Sequence, residues 1–261
     1  IFPSGATISQ TSGHGDFGSP TDVPKDNARP LSYIERSGQT IVADGVDQVL
    51  MRTREQLRQG ATQIKIMAGG GVSSSYDPLD VAQYTEEELH AAVRAAAGWN
   101  TYVTVHAYTP AAVQSAIKAG VKCIDHGHLL DEATARLMAE KGIWWSLQPF
   151  MDDEDAVPFP EGSDSRRKYL EMVNGTDNAF KLAKKYNIKT AFGTDVLFDP
   201  KLAKRQGAQL AKLVKWYTPF EVLKMATSGN ASLLEMSGPR NPYPKKLGVI
   251  EEGAYADLIL V

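Results

Sequence analysis

Lys65, His106, His126 and Asp195 are the residue types that hold a first-row divalent cation, and each stands in or just beyond an apolar run. The stretch "KCIDHGHLLD" (122–131) spends two of the chain's five histidines one glycine apart. Side chains alternate along a strand, so Ile124, His126 and His128 are expected on one face and Cys123, Asp125 and Gly127 on the other. By the same rule His106 shares a face with Thr104 in "YVTVHA", and Asp195 shares one with Ala191 and Gly193 in "TAFGTD". Lys65 is flanked by Ile64 and Ile66, and a lysine inside a buried strand costs several kcal/mol unless its charge is removed or paired. Addition of carbon dioxide to the neutral amine removes it, giving a carbamate, in effect a long carboxylate able to bridge two cations. Taken singly, each residue has an ordinary explanation: a hydrogen-bonded core histidine, a capping aspartate, a lysine reaching past a sheet edge. Together, at the C-terminal ends of successive strands of one barrel, they are expected to converge on one point and to supply the ligands of a metal.

The elements that must position them are short β-rich runs alternating with helix-length amphipathic runs. Strands are expected in "IFPSGATIS" (1–9), "TQIKIMAGGG" (62–71), "YVTVHAYT" (102–109), "KCIDHGHLL" (122–130), "IWWSLQPF" (143–150) and "TAFGTDV" (190–196). Helical spacing links Val46, Val49, Leu50, Thr53 and Leu57, then Leu89, Val93 and Ala96, then Ala112, Val113, Ala116 and Ile117. "TEEE" (85–88) and "TPFE" (218–221) are capping boxes, the second with proline at the first helical position. Six alternations, with strands apolar on both faces, predict an α/β fold, either a doubly wound parallel sheet or a (β/α)8 barrel. Segments 11–40 and 151–165, rich in Gly, Ser, Pro, Asp and Asn, are expected to be irregular loops over one end of the sheet.

A formal net charge of -3 with scattered basic residues argues against a nucleic-acid partner. The single cysteine, Cys123, excludes an internal disulfide and reads as a small buried hydrophobe. No run of about 18 apolar residues exists, so no membrane-spanning helix is expected. The chain opens on Ile1 within a strand-like run and closes on "YADLILV", which reads as a piece of a longer protein and leaves the compartment, cytoplasmic or periplasmic, open.

The ordered set "SQTSGHGD" (9–16), "IKIMAGGGV" (64–72), "TVHAYT" (104–109), "DHGHLLD" (125–131), "AFGTD" (191–195), "ATSGNASLLEMSG" and "LGVIEEGAYADLIL" resembles the metal-dependent amidohydrolase superfamily. Within it the likeness is to the branch of Xaa-Pro dipeptidases, acyl-amino-acid carboxypeptidases and imidazolonepropionase-like proteins. The resemblance implies a (β/α)8 barrel with a binuclear site, usually zinc, bridged by carboxylated Lys65. His106 and His126 would hold one metal, while Asp195 would bind the other and shuttle the proton. A metal-bound hydroxide would attack the amide carbonyl of a small substrate such as an Xaa-Pro dipeptide or N-acyl amino acid. His14 matches a loop histidine able to polarise the substrate carbonyl, and Tyr108 could donate its hydroxyl to a substrate carboxylate. His128 is expected to lie outside the ligand set, packing behind it, with His90 on a helix surface and Trp144 and Trp145 in the core.

The family's first strand carries a His-x-His pair that is not found in this chain. The resemblance therefore implies a barrel lacking strands 1 and 2 and most of an accessory β-sandwich. Residues 1–237 would form the incomplete barrel and 238–261 the start of a return to the sandwich. One or two divalent metals, a small-molecule or dipeptide partner and a homo-oligomer are expected. Two other functions stay open: hydrolysis of cyclic amides, lactones or carbamates on the same site, and a catalytically silent fragment or binding protein.

Overall fold

Short strands that are apolar on both faces bury their backbone hydrogen bonds by pairing side by side and by taking a helix after each strand. In the computed structural model, which describes residues 1–19, 21, 30–197 and 199–259, the strands are β1 (Thr7–Ser9), β2 (Thr40–Val42), β3 (Ile64–Met67), β4 (Val103–Ala107), β5 (Cys123–His126), β6 (Trp144–Leu147) and β7 (Thr190–Phe192). All pair in parallel in the order β2-β1-β3-β4-β5-β6-β7. The main helices are α1 (Tyr33–Arg36), α2 (Val46–Arg58), α3 (Glu86–Gly98), α4 (Pro110–Ala119), α5 (Glu132–Lys141) and α6 (Asp164–Lys185), followed by short helices between residues 202 and 240. From β3 to β7 the strands lie in chain order with a helix between each pair, so the α/β sheet is an incomplete barrel with β2 and β7 as its edges.

The two faces of the sheet are divided by residue type. Ile64, Ile66, Val103, Val105, Ile124, Trp145 and Leu147 point to the helices and pack with Ala92, Ala96, Ala116, Met138 and Ala179 in the main core. The opposite face is layered. Tyr102, Cys123, Trp144 and Ala191 fill its N-terminal end. Lys65, Thr104 and Asp125 occupy the middle, and the histidines stand at the C-terminal end. There a second apolar cluster of Val72, Leu79, Tyr108, Tyr169 and Met172 forms a wall. Both capping boxes are present, with Thr85 N–H donating to Glu88 Oε2 at 2.8 Å and Thr218 N–H to Glu221 Oε2 at 2.7 Å. Cys123 is free and buried, and Trp145 is wholly enclosed.

The sheet has one strand more than the six expected. β2 begins on the last residue of the segment read as loop, and that segment also contains α1. Helix α1 is closed by a capping box in which Ser32 N–H donates to Glu35 Oε2 at 2.8 Å. A one-turn helix, and a short strand with no extended apolar run around it, are too brief for periodicity to register, although "SYIE" carries the capping signature. Residues 20 and 22–29 of the same loop lie outside the described residues. The first strand is narrower than "IFPSGATIS", beginning at Thr7. The expected loop 151–165 is irregular as far as residue 163, where α6 takes over, and it is anchored: Asp155 pairs with Arg205 and forms an ion pair with Lys212 Nζ at 2.8 Å, while Asp153 accepts from the same ammonium at 2.7 Å. Residues 241–259 form no strand, so the expected return strand pairs with nothing among the described residues. Among them no helix is long and apolar enough to cross a membrane.

Candidate active site

His106 in β4 and His126 at the end of β5 meet with ring centroids 4.6 Å apart, both buried. His106 follows the alternation rule, but His126 does not reach the site as expected. Strict alternation would put it with Ile124 on the helix side. Instead His126 takes a left-handed backbone (φ 76°), which breaks the alternation and brings its imidazole to His106. Two bonds hold that turn: Trp145 Nε1–H donates to the His126 carbonyl at 2.7 Å and Gly127 N–H to the Ala107 carbonyl at 2.8 Å. Gly127 is itself left-handed (φ 65°), and a Cβ on it would come within 2.6 Å of Trp145 Nε1, so only glycine fits. Asp125, expected on the opposite face from the histidines, is the residue that points to the barrel interior.

Each imidazole is fixed in one tautomer. His106 Nε2 donates to the Gly70 carbonyl at 2.9 Å, leaving Nδ1 with a free lone pair. His126 Nδ1 donates to Gln148 Oε1 at 2.8 Å, leaving Nε2 free, and Gln148 is oriented by donating from Nε2 to the Ser146 carbonyl at 3.2 Å. Burial, with Lys65 and neighbouring histidines adding, pushes both rings well below the usual imidazole range, so both are neutral, the form that binds a metal. His128 is fully buried behind them. Its Nε2 donates to the Gln148 carbonyl at 2.9 Å, its Nδ1 has no partner, and burial lowers it to about 4.

Lys65 lies one layer below. Its ammonium is paired with Asp125, which also accepts from Thr104 Oγ1 at 2.8 Å. The buried charge is thus compensated by a carboxylate, and the electrostatic need for a carbamate, argued from the sequence, is met in another way. Among the described residues no three His, Cys, Asp or Glu side chains close on a common point. Lysine is outside that count, and two neutral imidazoles with free nitrogens beside an amine and an acid are a donor set that suits a divalent cation once the amine is carboxylated.

Asp195, three residues past β7 with φ 50°, lines a cavity of about 480 Å³ together with His14, His106, Tyr108, Phe150 and Tyr169. Its side chain is exposed, yet the protein around it still desolvates the carboxyl. Burial, aided by Asp125 and opposed by Lys65 and His14, raises it to about 6. His14 stacks on His106 at 4.1 Å, and Tyr108 meets the same ring edge-on at 4.9 Å. Burial raises the Tyr108 hydroxyl well above its usual value, which keeps it protonated as a donor. His90 is exposed on α3, as expected. The structure therefore brings His14, His106, Tyr108, His126, His128 and Asp195 together, with Lys65 beneath. Sequence reasoning missed Asp125 as the partner of Lys65, and Gln148, whose polar side chain at the end of an otherwise apolar strand was the available signal.

Removing the Gln148 acceptor tests the tautomer argument. Gln148→Leu is expected to weaken zinc binding about 10- to 100-fold, the usual cost of losing the partner that orients a metal-binding imidazole, as read by competition with a chromogenic chelator. Unchanged affinity would mean that His126 is held by its backbone alone.

The chain spans about half the length of the curated relatives it matches. It is 35% identical to ochratoxinase from Aspergillus niger over 99% of this chain and 54% of that protein. Among solved structures, a prolidase complexed with N-methylphosphonate-L-proline aligns with a TM-score of 0.87 at 37% identity, over 98% of this chain and 61% of the other. A Xaa-Pro dipeptidase with methionine bound in its active site aligns with a TM-score of 0.77 at 30% identity, over 98% of this chain and 60% of the other. With residues 14–261 matching the model of the amidohydrolase family, the chain belongs to that family.

Proposed function

We propose that this site hydrolyses an amide bond in a small substrate, an Xaa-Pro dipeptide or N-acyl amino acid, with the help of a divalent metal, zinc by preference. The observation that carries this reading is the pair of buried, neutral imidazoles, each with one ring nitrogen free (His106 Nδ1 and His126 Nε2), packed 4.6 Å apart, His106 lining a cavity of substrate size. Lys65, as its carbamate, and Asp195 complete the donor set. A cation held there supplies a Lewis acid for the amide carbonyl and activates water. His14 and Tyr108 orient the substrate from the cavity wall. Asp195, whose carboxyl burial raises in the metal-free chain, would take a proton from the attacking water and return it to the leaving amine. The prolidase and dipeptidase structures, whose ligands are a proline phosphonate and methionine, support a small amino-acid-like substrate.

One observation favours a silent binding protein instead: the Lys65 amine is already paired with Asp125, which competes with carboxylation. Metal content and turnover decide between them. The 261-residue chain is expected to retain about one zinc per molecule, since its described residues supply one pair of metal-facing imidazoles, and to hydrolyse Xaa-Pro dipeptides or N-acyl amino acids slowly. Cleavage confined to lactones, cyclic amides or carbamates would move the substrate class. Absence of both zinc and hydrolysis across all of these would establish the silent reading.

A further inference from the structure

Helix α6 carries a lysine where a lysine has no ordinary place. Lys168 is 2% exposed, and its ammonium donates to three backbone carbonyls of one loop: Gly71 at 3.3 Å, Ser74 at 3.0 Å and Asp77 at 3.0 Å. Asp164, one turn earlier, stands 3.3 Å from the same nitrogen. A charge buried against three inward-turned carbonyls fixes the path of that loop, because removing it would strand all three acceptors. The loop in turn holds His14. Ser74 Oγ lies 2.5 Å and Asp77 Oδ2 3.3 Å from His14 Nδ1, and Asp77 is itself held by the Gly71 N–H at 2.6 Å. The fit has no slack, for a Cβ on Gly71 would lie 2.1 Å from His14 Nδ1. From the other side Gln83 Oε1 accepts from His14 N–H at 2.7 Å.

A hydroxyl backed by a carboxylate at Nδ1 requires that nitrogen to carry the proton. The remaining ring nitrogen, Nε2, has no partner among the described residues, and His14 lines the cavity. We infer that Ser74 and Asp77, on a loop pinned by Lys168, are positioning residues that lock His14 in its Nδ1–H form and turn Nε2 toward the substrate. The use of that nitrogen in hydrolysis rests on the function proposed above; the locked tautomer does not. Lys168 reaches His14 only through the loop, so the two are coupled without touching.

The tautomer is read directly by long-range proton–nitrogen correlation on the full chain labelled with nitrogen-15 histidine, at alkaline pH, with and without added zinc; His14→Gln assigns the resonance. The wild type is expected to show His14 as Nδ1–H, with Nε2 at the shift of an unprotonated ring nitrogen. Ser74→Ala with Asp77→Ala is expected to convert it to a mixture or to Nε2–H, while Ser74→Thr, which keeps the hydroxyl, restores the wild-type pattern. Where the wild type turns over substrate, the double variant is expected to lower kcat by about tenfold or more with a smaller change in KM. A wild-type His14 protonated at Nε2 would overturn the inference, and that measurement needs no variant to fold. A double variant that keeps the Nδ1–H form would overturn it as well. Wild-type protein that shows the locked tautomer yet hydrolyses nothing would defeat the proposed function and leave this inference standing.

Discussion

Replacing Lys65 with methionine is expected to empty the metal site and to destabilise the metal-free chain together. The ammonium and the Asp125 carboxylate are paired on the inner face of the sheet, with side chains only 16% and 18% exposed. Loss of the lysine leaves the carboxylate with Thr104 Oγ1 at 2.8 Å and a weak contact from Cys123 Sγ at 3.9 Å, neither of which carries positive charge. Breaking a buried pair from one side costs about 3 kcal/mol, which urea denaturation at fixed pH would show as a lower midpoint. A second substitution separates the two roles of the residue. Lys65→Met with Asp125→Leu removes both charges and fills similar volume, so most of the lost stability is expected to return. Zinc binding is not expected to return, because the nitrogen that would carry the carbamate is gone. If the double variant binds zinc as the wild type does, Lys65 is a structural residue and His106, His126 and Asp195 hold the metal without it.

The parts of this molecule that could be read from sequence are those governed by repeating geometry. The two-residue period of "TVHA" placed His106 inward, and the helical spacing of Leu89, Val93 and Ala96 placed α3 against the sheet. Capping boxes at Thr85 and Thr218 fixed two helix starts to the residue. The failures occur where a single residue leaves the repeat. His126 has a left-handed backbone that alternation cannot foresee, so its neighbours Asp125 and Ile124 were assigned to the wrong faces of the sheet. Strand β2 is three residues long and follows directly on the Gly-, Ser- and Pro-rich stretch read as loop, so no extended apolar run flanks it to mark a strand. Lys168 falls in a helix beside Arg166 and Arg167, where a lysine reads as solvated surface; only the loop folded over it reveals three carbonyls waiting for a donor. The family resemblance supplied the expected ligand set, still a proposal, but it could not supply the Lys65–Asp125 pair, which depends on the register that sets Lys65 beside Thr104 and His106 beside Asp125 across three strands.

Trp145 joins the stability of the barrel to the geometry of the site, and its replacement is expected to damage both. The side chain is wholly buried in the main core, packed against the helices, while its Nε1–H donates to the carbonyl of His126. Trp145→Ala is expected to cost about 3–5 kcal/mol through lost burial and the cavity left behind. That loss alone would not show that the indole matters to the metal site, because a loosened core weakens everything upon it. Trp145→Phe isolates the second effect. The phenyl ring keeps much of the volume but leaves the His126 carbonyl without its donor, at about 1–3 kcal/mol, a loss small enough to leave the fold intact. Freed of that bond, the left-handed turn at His126 is expected to relax and its imidazole to shift from its contact with the His106 ring. Zinc affinity is then expected to fall roughly tenfold, as it does when other partners that orient a ligand are removed. Chelator competition on the phenylalanine variant, at a temperature where circular dichroism shows it fully folded, would measure this. Affinity equal to the wild type would leave the orienting role to Gln148 and to the Gly127 N–H bond to the Ala107 carbonyl.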